Sequence, residues 1–251
     1  MESRSQWRIA VVPGDGIGPE VIAVTVQALQ ALASEQGLRM ELVELPWPST
    51  AWHREHGRMM PEDGLEQLAQ FDAILLGALG DPGPADDPRH YVLSDAVSLA
   101  PLLEIRKGFD QWACERPAIL LDGAPQYLAD PRARDIDMLV VREHSEGEYV
   151  GQGGRLARGT EREVATQVEV FTRFAAERIF RHAFRRARQR AAERVAGKRR
   201  DRRFAHGDGE AQAQVCLITK RNALQHWGDM YTEAYAEVDR EFPDVATHHE
   251  L

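Results

Sequence analysis

Residues 8–21 read Arg8-Ile9-Ala10-Val11-Val12-Pro13-Gly14-Asp15-Gly16-Ile17-Gly18-Pro19-Glu20-Val21, and this stretch decides the fold class. Ile9 to Val12 is a short unbroken apolar run, the pattern of a parallel strand buried on both faces. A glycine-rich turn follows at once. From Pro19 onward Ile22, Val26, Leu29 and Leu32 recur at helical spacing, with proline near the first helical position and Glu20 at the positive end of the dipole. A turn between strand and helix offers backbone amides to an anion. It is not the dinucleotide fingerprint G-x-G-x-x-G, because Pro19 stands where the last glycine belongs, and a plain βα turn without ligand stays open as a reading.

Outward from this unit, Met40–Leu45 alternates as a second strand, Glu62–Gln70 reads as a helix and Phe71–Gly77 as a third strand. That grammar predicts an α/β fold with a parallel sheet. Residues 77–90 hold too many glycines and prolines for either element and form a loop of a length often tied to function. Beyond it the pattern predicts a helix to about Trp112, strands at Ile119–Leu121 and Asp137–Arg142, and a polar glycine-rich segment at Glu146–Gly159. A helix is expected over Glu163–Arg190 with Val168, Phe171, Ala175, Ile179 and Phe180 in one stripe. Cys216–Thr219 reads as a strand, and Ala223–Phe242 as a helix with Trp227, Tyr231, Tyr235 and Val238 on one face.

The chain has 251 residues, 43% hydrophobic and 28% charged, enough to bury a sizeable core. Its 31 basic and 40 acidic residues give a net charge of −9, which argues against a general nucleic-acid or anionic-membrane binder. With two cysteines, no secretory leader pattern and no run of membrane-spanning length, a reduced, cytoplasmic protein is expected.

Arg106, Arg116 and Arg142 occupy a helix face, the segment before Pro117 and the end of an apolar strand, and each offers a rigid fork of donors suited to carboxylates. Taken singly, each is an ordinary surface ion-pair partner. Tyr149 and Lys220 are candidates for proton transfer. Residues 178–203 hold twelve Lys or Arg and two acids, read here as a solvated basic helix and loop rather than a polyanion site. His248-His249 reads as an exposed tail, since adjacent histidines point apart.

In this order the pieces resemble the β-decarboxylating 2-hydroxyacid dehydrogenases, the isopropylmalate, isocitrate, tartrate and D-malate dehydrogenases. The resemblance rests on residues 8–21, on Leu102-Leu-Glu-Ile-Arg-Lys-Gly-Phe-Asp-Gln-Trp-Ala-Cys-Glu-Arg-Pro117, on Val140-Val-Arg-Glu-His-Ser-Glu-Gly-Glu-Tyr149 and on Thr219-Lys-Arg-Asn-Ala223. The segments at Gly147–Arg155, Gly159–Glu163, Val170–Arg173 and Gly57–Pro61 look like the tartrate and D-malate enzymes. Leu99 stands where isopropylmalate enzymes tend to carry a glutamate, which lowers the isopropylmalate reading.

The resemblance implies an isopropylmalate dehydrogenase-like fold in two domains. Residues 1–110 would form the N-terminal part of a discontinuous first domain, and 111–251 a substrate and dimerisation domain with a loop inserted at about 191–214. It implies NAD-dependent oxidative decarboxylation of a small 2-hydroxy diacid, with Mg²⁺ or Mn²⁺ lowering the hydroxyl's pKa. Lys220, from the other subunit of a homodimer, would act as general base or its relay, and Tyr149 would return a proton to C3. Arg106, Arg116 and Arg142 would hold the β-carboxylate, Leu102 and Leu103 would line the pocket, and Gly16, Ile17 and Asn222 would meet the cofactor. The two apolar stripes, 168–180 and 227–238, resemble the family's interface helices.

Two departures accompany the resemblance. The family's first metal-ligand aspartate would fall just past Leu251, so no metal ligand is expected within this chain, and the chain reads as C-terminally truncated. The family reaches its lysine about ten residues after the position of Arg190, whereas here Lys220 lies thirty residues on. A catalytically inactive homologue and 3-isopropylmalate dehydrogenase are the alternative readings.

Overall fold

The computed structural model describes residues 6–83, 92–199 and 213–251, so part of the loop at 77–90 and most of the expected insertion lie outside the described residues. The chain divides into two compact units, Met1–Phe109 and Asp110–Leu251.

In the first unit β1 (Gln6–Gly14) is the middle strand of a three-stranded parallel sheet, flanked by β2 (Arg39–Glu44) and β3 (Ala73–Ala78). Ile9 pairs with Leu42 on one side and Ala73 on the other. β1 has a strand on each edge, and Ala10, Val11 and Val12 are all buried, as their unbroken apolar run requires of a strand packed on both faces. The crossover helix α1 (Gly18–Gln36) lays Ile22 and Ala33 inward. Short helices α2 (Thr50–His56), α3 (Gly64–Leu68), α4 (Asp95–Ser98) and α5 (Ala100–Gly108) complete the unit. Trp47, Met60, Leu68 and Ile105 close a core against Ala10.

The second unit is built on two helices, α6 (Arg173–Val195) and α7 (Gln225–Asp239). Around them lie an antiparallel pair of β4 (Ala113–Ile119) with β5 (Asp137–Glu143), an antiparallel ribbon of β6 (Gly147–Leu156) with β7 (Val164–Val170), and a parallel pair of β8 (Gln214–Ile218) with β9 (Ala246–Glu250). Phe180 and Phe184 of α6 meet Tyr231 and Tyr235 of α7 at centroid separations of 5.3 to 5.5 Å. Most of the two stripes read from the sequence as interface helices, Phe171, Ile179 and Phe180 with Tyr231, Tyr235 and Val238, therefore pack together inside one chain, while Val168 is exposed on β7.

Several expectations are corrected. Residues 164–170 are strand, not the start of a helix, and the glycine-rich segment before them is their partner strand. Val164, Thr166, Val168 and Val170 are β-branched at every second position, and cross-strand pairing with β6 holds them extended. The strand expected at 119–121 lies earlier, with Pro117 carried in β4 opposite Leu139. His248 and His249 are half-buried in β9 rather than in an exposed tail.

Candidate active site

Residues of β4 and β5 alternate between two faces. Glu115 and Val141 turn toward α6, where Glu115 Oε1 lies 2.8 Å from His182 Nε2 and accepts from Arg186 Nε at 2.7 Å, while Val141 packs on the aromatic core. The other face carries Cys114 opposite Arg142 and Arg116 opposite Val140. Arg116 and Arg142 are thus diagonal neighbours on one side of the ribbon, a spacing long side chains bridge. Val140 and Met138, on the same face, are about half exposed, so this is the accessible side.

Arg142 Nη2 donates to Tyr149 Oη at 2.8 Å and to Glu148 Oε1 at 3.1 Å, and its guanidinium carbon lies 5.4 Å from the Tyr149 ring centroid. The bond to Tyr149 is the main reason the guanidinium is held above the usual arginine value, with the charge of Glu148 adding. The phenol oxygen is the acceptor in this bond, and a phenol is also a donor. The turn joining β5 to β6 is fixed by Glu143, whose carboxylate accepts from the Ser145 amide and hydroxyl and from the Glu146 amide.

Lys220 and Asn222 lie in the exposed turn after β8, whereas the side-chain bonds of Arg142 run to Glu148 and Tyr149. Thr219 just before them is buried, its amide on Glu250 O and its hydroxyl 2.8 Å from His249 Nε2.

In the first unit, Leu102, Leu103 and Arg106 share one stripe of α5 at helical spacing and are all half-buried. Gly16 and Ile17 sit in the turn before α1, with Ile17 63% exposed. That turn is a poor anion cradle. The Gly18 amide donates to Asp15 O, Pro19 has no amide hydrogen, and the buried Asp15 carboxylate accepts from the Thr50 and Gly80 amides. Gly18 is required for a different reason: a Cβ there would stand 2.1 Å from Pro13 O.

Residues 8–200 match the family model described as isocitrate/isopropylmalate dehydrogenase. The chain belongs to the isocitrate/isopropylmalate dehydrogenase family. A probable tartrate dehydrogenase/decarboxylase of Agrobacterium vitis is 40% identical over 96% of this chain and 59% of its own length. D-malate dehydrogenase (decarboxylating) of Escherichia coli is 45% identical over 73% of the chain and 49% of its own length. A 3-isopropylmalate dehydrogenase of Thermobifida fusca is 39% identical over 95% and 59%. The crystal structure of isocitrate dehydrogenase from Methylococcus capsulatus superposes with a TM-score of 0.68 at 24% identity, covering 97% of this chain and 60% of that one, which establishes the isopropylmalate dehydrogenase-like α/β fold. This family member spans about 59% of the length of the first of these relatives.

Sequence reading gives no role to Glu148, which binds Arg142, or to His144, whose ring stands edge-to-face with Tyr149 at 5.9 Å. Their closeness in the chain to both partners was the available signal. Six described arginines of the basic stretch are ion-paired within the unit: Arg178 with Asp110, Arg181 with Glu177 and Glu241, Arg186 with Glu115, Arg188 with Asp244, and Arg190 and Arg199 with Asp137.

Proposed function

We propose that the protein is a decarboxylating dehydrogenase of a small 2-hydroxy diacid, D-malate or tartrate, using NAD and Mg²⁺ or Mn²⁺. The observation that carries this reading is the Arg142–Tyr149 pair with Arg116 beside it on the accessible face of β4–β5. Two guanidiniums on one face bind a carboxylate bidentately, and the phenol held by one of them delivers a proton next to it. Arg106, with Leu102 and Leu103 on the same stripe of α5, is assigned to the substrate from the family resemblance. Tyr149 protonates the carbon from which CO₂ departs, and Lys220 takes the hydroxyl proton.

NAD supplies the hydride acceptor when bound. Gly16, Ile17 and Asn222 are the residues assigned to it, through contacts with its uncharged parts, because the turn before α1 does not fit a pyrophosphate. Among the described residues no group of three or more His, Cys, Asp or Glu side chains is placed to hold a metal ion, so these residues do not fit Mg²⁺ or Mn²⁺ and no step is assigned to a metal. An inactive homologue is the second reading. The similarity to the Thermobifida fusca enzyme favours a third, isopropylmalate as substrate.

A homodimer is proposed from the family resemblance. The β6–β7 ribbon supports it, because Leu156, Val164, Val168 and Val170 are exposed on it. Residues 1–110 and 111–251 are proposed as the first-domain part and the substrate domain, with 191–214 inserted. The free thiols of Cys114 and Cys216 suit the cytoplasm, and no described helix is long and apolar enough to cross a membrane.

The test is NADH formation from D-malate, tartrate and 3-isopropylmalate with Mn²⁺, on this chain and on a form extended to the length of its relatives. Turnover of D-malate or tartrate supports the first reading, and turnover of 3-isopropylmalate alone the third. No turnover by either form leaves the inactive homologue.

A further inference from the structure

Tyr149 occupies a place where its own strand does not hold it. On β6, Gly147 pairs with Val170 and the next ladder pair is Gln152 with Val168, so four residues, Glu148 to Gly151, face the single Glu169 across the ribbon. A tyrosine in such a bulge takes its direction from what its ring and hydroxyl touch. The hydroxyl accepts from Arg142. The ring stands against the His144 imidazole, with centroids 5.9 Å apart and planes at 87°. His144 itself is held firmly: it is 8% exposed, and its amide donates to Trp112 O at 2.8 Å.

We infer that His144 is a positioning residue, whose buried imidazole sets the plane of the Tyr149 ring so that the phenol stays on Arg142 and faces the arginine side of β4–β5. An edge-to-face contact restricts a ring's tilt, and the bond to Arg142 restricts its rotation. Together they replace the ladder that β7 does not provide at this point. The inference rests on the proposed role of Tyr149 as proton donor, and is tested by a readout that does not need that role.

The experiment compares His144→Ala with His144→Phe, which keeps an aromatic ring at the same place. The first readout is the rate at which tetranitromethane nitrates Tyr149, assigned by peptide mapping. The second is kcat and KM for D-malate and tartrate in the extended form. His144→Ala is expected to nitrate at Tyr149 several-fold faster and to lose about 10- to 100-fold in kcat with KM little changed, since misplacing a catalytic group costs rate rather than binding. His144→Phe is expected to restore protection and most of kcat. Equal nitration rates in wild type and a folded His144→Ala overturn the inference, and so does failure of a folded His144→Phe to restore protection. If the wild-type extended form turns over neither substrate, the proposed function fails, and the nitration rates still decide the role of His144.

Discussion

Asp137 Oδ1 lies 2.8 Å from Arg190 Nη2, with the two side chains 3% and 9% exposed, and Arg199 reaches the same carboxylate at 3.2 Å. Arg190 also donates to Asp137 O, so the last turns of α6 are fastened to the first residue of β5. Removing one member of a buried pair leaves its partner's charge uncompensated. Asp137→Ala is expected to cost about 3–5 kcal/mol. A urea titration showing a loss below about 1 kcal/mol would place the pair with ordinary surface bridges.

The α6–α7 seam is expected to dominate the stability of the second unit. Phe184 is fully buried, 5.5 Å from Tyr235 and 5.0 Å from Phe242. Truncating it to alanine should cost about 3–5 kcal/mol, and Phe184→Leu clearly less, measured by denaturant midpoint at unchanged slope.

Acid should weaken the second unit. Burial pushes the Glu115 carboxyl up, but the bonds from His182 and Arg186 outweigh it and hold it below its ordinary value of 4.5. A group depressed in the folded state stabilises above its ordinary value, and that contribution disappears as the pH falls through the folded one. The melting temperature is expected to drop as the pH is lowered below about 4.5, and Glu115→Gln to flatten that dependence. Differential scanning calorimetry across acid pH checks both.

At the alkaline end the sign reverses. Burial between α6 and α7 pushes the Tyr231 phenol from 10 up to about 12. Its stabilisation is complete below 10 and lost as the pH rises toward 12. Tyrosinate absorbance should therefore show a late titration step that Tyr231→Phe removes.

Tyr149→Phe is expected to lower kcat by about 100-fold or more in the extended form, with KM little changed, because it deletes the proton donor and leaves the arginines in place. Arg142→Lys should instead raise KM by about 10-fold, a lysine lacking the bidentate fork. Steady-state NADH formation separates the two.

Much of the first unit was legible because its signals are local. An unbroken apolar run at 9–12 and a glycine-rich turn allow few alternatives, and β1 in the centre of its sheet is what they demand. The Glu163–Arg190 segment misled because Val168 and Phe171 also fit a helical stripe, and only pairing with β6, a non-local contact, decides in favour of strand. β9 was invisible for the same reason: Ala246–Glu250 is extended by its neighbour β8 rather than by its own composition. At the site, arginines were recognisable as carboxylate binders, but that Arg116 and Arg142 share a face follows from strand register, which no single segment encodes.

The fastening of Arg199 to Asp137 has a further consequence, because the chain is fixed again at Ala213, buried immediately before β8. The end of α6 and the start of β8 are thus each held by contacts of their own within the second unit, and neither depends on the other for its place.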